Sequence, residues 1–168
     1  MEIPRRELTG EEIYNLVKKL KIKNFRGVYC ADDIPKRTSI NQEECAILNF
    51  QKHTQRGTHW TCWFRKGSDI VYYDSYGGFV PPDLANYLRP HGWIKRSIIV
   101  TQRGPTECGG LCLLVLQSLT RGHHFGQILT KLSQRLSGDT PLHGMEEETG
   151  KGDSSSSSQK LSKKKSLR

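Results

Sequence analysis

The chain has 168 residues, 26 Lys/Arg against 17 Asp/Glu for a formal net charge of +9, and an apolar share of 35%. Its length fits one domain. No apolar run nears the ~20 residues of a membrane-spanning helix, and Met1-Glu2-Ile3-Pro4-Arg5-Arg6-Glu7 lacks the apolar core of a signal peptide, which argues against membrane and secreted classes.

Thr9-Gly10-Glu11-Glu12 matches a capping box and opens an amphipathic helix through Ile13, Leu16, Val17 and Leu20. Residues 25–30 read as a strand, and Asp32-Asp33-Ile34-Pro35 as a turn or loop. Asn41 and Glu44 fit the cap of a short helix, but residues 45–50 fit a strand equally well, and periodicity leaves both open. Residues 58–65 and 70–73, joined by Lys66-Gly67-Ser68, read as a hairpin. Pro81-Pro82-Asp83 starts a helix with Leu84, Ala85 and Leu88 that stops before Pro90. Residues 97–101 read as the next strand. A helix opened by Cys108 runs to Arg121-Gly122. The last helix carries Phe125, Ile128, Leu129, Leu132 and Leu136 and stops at Gly138.

From residue 139 the chain is polar: Glu146-Glu147-Glu148, a run of five serines, then Lys163-Lys164-Lys165. It has too little apolar surface to offset the entropy of ordering, so a globular domain over 1–138 and a disordered tail over 139–168 are expected. The tail holds six Lys/Arg and five Asp/Glu, which leaves +8 of the net charge on the domain. A basic body of that kind favours a polyanionic partner, nucleic acid first. Five cysteines, an odd number, fit reduced thiols in an intracellular, reducing compartment. The element order predicts an α+β fold with a central, mostly antiparallel sheet and flanking helices. The Cys108 helix is apolar nearly all round through Leu111, Leu113, Leu114, Val115, Leu116 and Leu119. It should be the buried one, with only its first turn reaching a cleft.

The candidate chemistry sits in Gln102-Arg103-Gly104-Pro105-Thr106-Glu107-Cys108-Gly109-Gly110-Leu111-Cys112. A cysteine at a helix N-terminus meets the positive end of the macrodipole, which favours thiolate. A nucleophilic thiol needs a base within hydrogen-bond reach. With a two-residue Lys66-Gly67 loop, Arg65 pairs with Ser68 and counting outward sets His59 opposite Asp74, on one face. A three-residue loop or a bulge would shift that register by one. Asp74 would then orient His59, and Gln102 would join the Cys108 backbone N–H in an oxyanion hole. Gly109 and Gly110 would let a substrate backbone approach.

Thr58-His59-Trp60, Tyr73-Asp74-Ser75-Tyr76-Gly77 and the Gln102 to Cys112 segment resemble adenain, the adenovirus maturation protease. They also resemble its relatives in virus-like DNA transposons and the wider Ulp-type SUMO proteases. Leu16 to Leu20, Phe25 to Tyr29 and Glu44 to Asn49 extend the similarity over most of the first 120 residues. The resemblance implies a papain-like active site in an α+β fold. Cys108 would be nucleophile, His59 general base and acid, Asp74 its orienter, Gln102 the oxyanion donor and Trp60 a wall of the substrate channel. It implies an endopeptidase cleaving precursor proteins after small residues, often glycine, in viral or transposon capsid and core maturation. The setting would then be host nucleus or virion. It also implies activation by DNA or a short peptide. The acid is Asp, as in the Ulp group. Residues 90–96 lack the cysteine that links adenain to its peptide, so a covalent peptide cofactor is not expected. A monomer without resident metal or cofactor is expected.

Three other readings compete. A SUMO or ubiquitin-like isopeptidase would use the same residues. A non-catalytic basic nucleic-acid-binding module would use Trp63 and Trp93, although these aromatics fit core or cleft walls better. A zinc module would use Cys108, Cys112, His123 and His124, but that spacing fits no common finger. Cys112, like Cys30, Cys45 and Cys62, fits a small core residue.

Overall fold

The computed structural model describes residues 4–36, 42–51 and 59–138. Asn41, Thr58 and the 139–168 tail lie outside them. Helix α1 spans Gly10–Lys19, and its Thr9–Glu12 capping box is formed in both directions. Strands β1 (Phe25–Cys30), β2 (Glu43–Asn49), β3 (Trp60–Lys66) and β4 (Asp69–Tyr73) follow. Helix α2 (Pro82–Leu88), with proline in its first turn, and a 3-10 turn over Arg89–His91 lead to strand β5, Ile94–Arg96. Helices α3 (Cys108–Thr120) and α4 (Phe125–Ser137) complete the described chain. The undecided segment after Asn41 is strand β2, since its residues must fill both faces of a sheet centre.

The five strands form one sheet in chain order, β1-β2-β3-β4-β5. Its centre, β2-β3-β4, is antiparallel as expected, while both edge strands join in parallel. The β4–β5 pair gets its parallel sense from the α2 crossover. The period of two sorts the core. Cys45, Ile47, Cys62, Phe64, Val71 and Tyr73 face α1, α3 and α4. Ala46, Leu48, Trp63, Ile70 and Tyr72 face Leu84 and Leu88 of α2. Strands covered on both sides read as continuous apolar runs, which is why β2 looked ambiguous. Helix α3 is buried from Cys108 to Leu119.

Two expectations need correction. The hairpin loop is Gly67-Ser68, with Lys66 opposite Asp69 and Arg65 opposite Ile70. Gly67 takes the first loop position at φ +58°, the glycine position of a type II′ turn. The strand expected over 97–101 lies instead at Ile94–Arg96. Beyond Arg96 the β4 ladder runs out, and Ile98, Ile99 and Val100 are exposed despite their β-branched character. Trp63 is a core residue, and Trp93, although 85% exposed, walls a surface cleft with Phe79, Val80, Arg89, Ile94 and Arg96.

Candidate active site

His59 directly precedes β3 and Asp74 directly follows β4, so both stand at the open end of the hairpin. The observed register, continued outward, sets His59 opposite Tyr76, and their rings lie 5.0 Å apart. Asp74 is its diagonal neighbour on the same face. His59 Nε2 and Asp74 Oδ1 are 2.8 Å apart. The expected partnership thus holds although the loop sits one residue further on. Moving a two-residue loop by one step moves each partner by two, and a shift of two keeps every side chain on its face.

Asp74 sits in a turn built to hold it. Its Oδ1 also accepts the Tyr76 N–H at 2.8 Å. Its backbone N–H donates to Ser97 Oγ at 3.0 Å, and Ser97 Oγ donates to its carbonyl at 2.7 Å. Gly77 takes φ +74° with its α-carbon against the Ile98 backbone, and a side chain on Gly78 would collide with Asp74 Oδ2. Arg96 braces the turn from outside, donating to the Gly77 and Gly78 carbonyls and lying 4.6 Å from the Phe79 ring centroid.

The electrostatics follow from burial set against bonding. Burial pulls the His59 pKa down, but hydrogen bonding and charge from Asp74 and Cys108 outweigh it and raise it to about 9. The Cys108 side chain is thus one of the groups, after Asp74, that raise the ring's proton affinity. With Nε2 given to Asp74, Nδ1 is the nitrogen left for the sulfur. Burial raises the Asp74 pKa, and bonds from His59, Tyr76 N–H and Gly78 N–H outweigh it, so the carboxyl stays below its ordinary range.

Cys108 is the first residue of α3 and only 4% exposed. The residue before it, Glu107, does not cap the helix with its side chain. Its carboxylate accepts the Arg103 N–H at 2.8 Å and two bonds from the Arg135 guanidinium of α4, each at 3.1 Å. Arg135 also donates to the Thr101 carbonyl at 3.0 Å. The Gln102–Cys108 loop is thereby pinned at both ends. Gln102 donates from Nε2 to the Gly104 carbonyl at 2.8 Å, and its Oε1 meets Ser75 Oγ. Of the residues expected to act together, His59 bonds Asp74, the Cys108 side chain helps raise the His59 pKa, and Gln102 is held in the loop that leads to Cys108.

Trp60 and Gly109 both meet the N-terminal segment at Leu8. The Trp60 indole N–H donates to the Leu8 carbonyl at 2.9 Å, and a side chain on Gly109 would meet Trp60 and Leu8. The space beside Gly109 is shared by the Trp60 ring and Leu8. Gly110 is buried inside α3. Cys112 Sγ contacts the Trp60 carbonyl at 3.4 Å and is fully buried, as a core residue should be. His123 and His124 lie ~15 residues along from Cys108, about 20 Å at helical rise, which removes the zinc reading. Among the described residues no three His, Cys, Asp or Glu side chains are grouped to hold a metal ion.

Sequence reading missed Glu107, Arg135 and Ser97. Arg135 left one trace: it falls on the apolar stripe of α4, three residues after Leu132. Arg135→Ala should lower unfolding free energy by about 3–5 kcal/mol, because it strands a buried carboxylate. Denaturant titration reads this, and a loss under ~1 kcal/mol would contradict the clasp. Gly78→Ala should displace the Asp74 carboxylate and lower the His59 pKa from about 9 toward its ordinary 6.5. An NMR titration of the imidazole with an unchanged midpoint would show the turn is not so constrained.

No protein-family profile matches the sequence, and no curated protein matches it either. Among solved structures the chain is similar to the selenomethionine crystal structure of the ASFV pS273R protease, with a TM-score of 0.51 and 18% identity. The match covers 76% of this chain and 63% of that one, so the chain spans less than two thirds of that protein's length. At this identity the likeness is one of fold, and it places the five-stranded sheet and its flanking helices in the architecture of that protease.

Proposed function

We propose that the chain is a thiol-dependent endopeptidase of the adenain and Ulp type, acting on extended polypeptide. The observation that carries the reading is the His59 ring, bonded to Asp74 and raised to about 9 beside the sulfur that opens α3. The likeness in fold to the ASFV pS273R protease supports it.

In this reading the thiolate of Cys108 attacks the scissile carbonyl carbon. The carbonyl π electrons move to oxygen, which accepts hydrogen bonds from the Gln102 amide and the Cys108 backbone N–H. The tetrahedral intermediate collapses as imidazolium His59 passes its proton to the departing amine, leaving a thioester. Neutral His59 then takes a proton from water, whose oxygen attacks the thioester, and the acid product leaves with Cys108 free. Asp74 holds the ring in place and stabilises its charged form throughout. The small-residue preference after which cleavage would occur, and a role in capsid or core maturation, rest on the resemblance alone. The +8 charge of residues 1–138 supports DNA as an activating polyanion.

The test is turnover of a peptide library with Gly at the cleaved bond and of a ubiquitin-like conjugate, each with and without DNA. Cleavage lost in Cys108→Ser supports the peptidase, and cleavage of the conjugate alone would move the assignment to isopeptidase. Salt-dependent DNA binding without any hydrolysis would leave a binding module. Cys108 should alkylate faster than the other four cysteines at mildly acidic pH, and equal rates would count against an activated thiolate.

The pH dependence has a defined sign. His59 must be protonated to supply the leaving group, so kcat/KM should fall as pH rises through about 9. Because the folded pKa lies above the ordinary value, the His59–Asp74 pair stabilises the fold fully below ~6.5 and loses that contribution through about 9. Asp74→Asn should move the alkaline limb toward lower pH. A limb that stays in place would mean another group sets it.

A further inference from the structure

We infer that Ser75 is a positioning residue: it locks the Gln102 side-chain amide with its nitrogen end available to the reaction centre. The inference rests on the peptidase reading and adds a residue to it.

Donor and acceptor chemistry fixes which end of the amide faces which neighbour. The Gly104 carbonyl can only accept, so the Gln102 atom 2.8 Å from it must be the amide nitrogen. The other end, Oε1, then faces Ser75 Oγ. An amide oxygen cannot donate, so the Ser75 hydroxyl does. Each end of the amide meets the one type of group it can bond. One of the two Nε2 protons is committed to Gly104, and the second is the donor that an oxyanion would use.

Ser75 is suited to this by its place in the chain. It has no exposed surface, so water does not compete for Gln102 Oε1. Its carbonyl accepts the Thr101 N–H at 2.8 Å, one residue before Gln102. Thr101 Oγ1 is in turn 2.7 Å from the Tyr73 hydroxyl. One residue therefore holds both the backbone leading into Gln102 and the tip of its side chain, and its chain neighbour is Asp74. The orienter of His59 and the oxyanion donor are set by two consecutive residues of a single turn. Without the hydroxyl, Gln102 Oε1 would be buried with no donor, and the amide would turn to find one.

Ser75→Ala, Gln102→Ala and the double variant test this on a cleavable Gly-containing peptide. Ser75→Ala should lower kcat by ~10–100-fold, with KM and the alkaline limb unchanged. Combined with Gln102→Ala, it should cost nothing further, because both act through one amide. Losses that multiply in the double variant would overturn the inference and leave Ser75 a structural residue. The Gln102 side-chain N–H pair in ¹H–¹⁵N spectra gives a readout without turnover. It should exchange slowly in the wild type and faster in Ser75→Ala, and equal exchange would also overturn the inference. If Ser75→Ala fails to fold, Ser75→Cys, a weaker donor, should show a smaller loss in the same direction, and full kcat in that variant would count against the hydroxyl's role. A wild type without peptidase activity would sink the peptidase reading, whereas the amide spectra still decide the orientation.

Discussion

The burial of α3 is the constraint on which the site depends. Leu111, Leu113, Leu114, Val115, Leu116 and Leu119 are all enclosed. At ~1.5–3 kcal/mol per side chain their gross contribution is on the order of 10–20 kcal/mol, similar to the whole net stability of a domain. The helix cannot slide or rotate without losing much of that, so the sulfur at its first residue inherits the rigidity of the core. Small residues set how close it comes to the sheet. Cys62 Sγ contacts the Cys112 carbonyl at 3.7 Å, Cys112 Sγ contacts the Trp60 carbonyl, and Gly109 lies under the Trp60 ring. A larger side chain at any of the three would push α3 away from β3, and Cys108 away from His59.

Charge at the site survives burial only because it is bonded. Cys45 and Cys112 illustrate the alternative. Both are in the core, where burial pushes the thiol pKa up, and Glu43 and Glu44 beside Cys45 and Asp74 near Cys112 push it the same way. His59 and Asp74 lose water as well, yet each ends with its charged form favoured, because the two bond each other and the Tyr76 and Gly78 N–H groups bond Asp74. The same reasoning covers Glu107 and Arg135. Burial raises the Glu107 pKa, but Arg135 and the Arg103 N–H hold it below the ordinary range. The ion pair that closes the loop therefore keeps its charge inside the protein.

Much of this was legible in the residues. The capping box, the buried Cys108 helix, the proline start of α2 and the amphipathic α4 follow from local rules that the packing does not overturn. The His59–Asp74 partnership followed from counting, and it tolerated a misplaced loop because the error preserved parity. The clasp between Glu107 and Arg135 was not legible. It joins residues 28 apart in sequence, and nothing short of the packed fold brings α4 to that loop. Gly109 marks a close approach in the sequence, and only the fold shows that Leu8 and Trp60 are among the groups that approach it.

The misread strand over 97–101 has a more specific cause. Ile98, Ile99 and Val100 have the propensity for a ladder, but the partner they would need turns away after Tyr73 to hold Asp74. The groups on either side are diverted to that turn: the Ser97 hydroxyl bonds both backbone groups of Asp74, and the Thr101 N–H reaches the Ser75 carbonyl. Propensity rules assume that a strand former will find a strand. Here the neighbouring chain spends its bonding capacity on a carboxylate and a glutamine, and the apolar segment between is left facing solvent. Local preference and actual structure part company at the turn that orients His59, as expected where a backbone is shaped by a site rather than by a sheet.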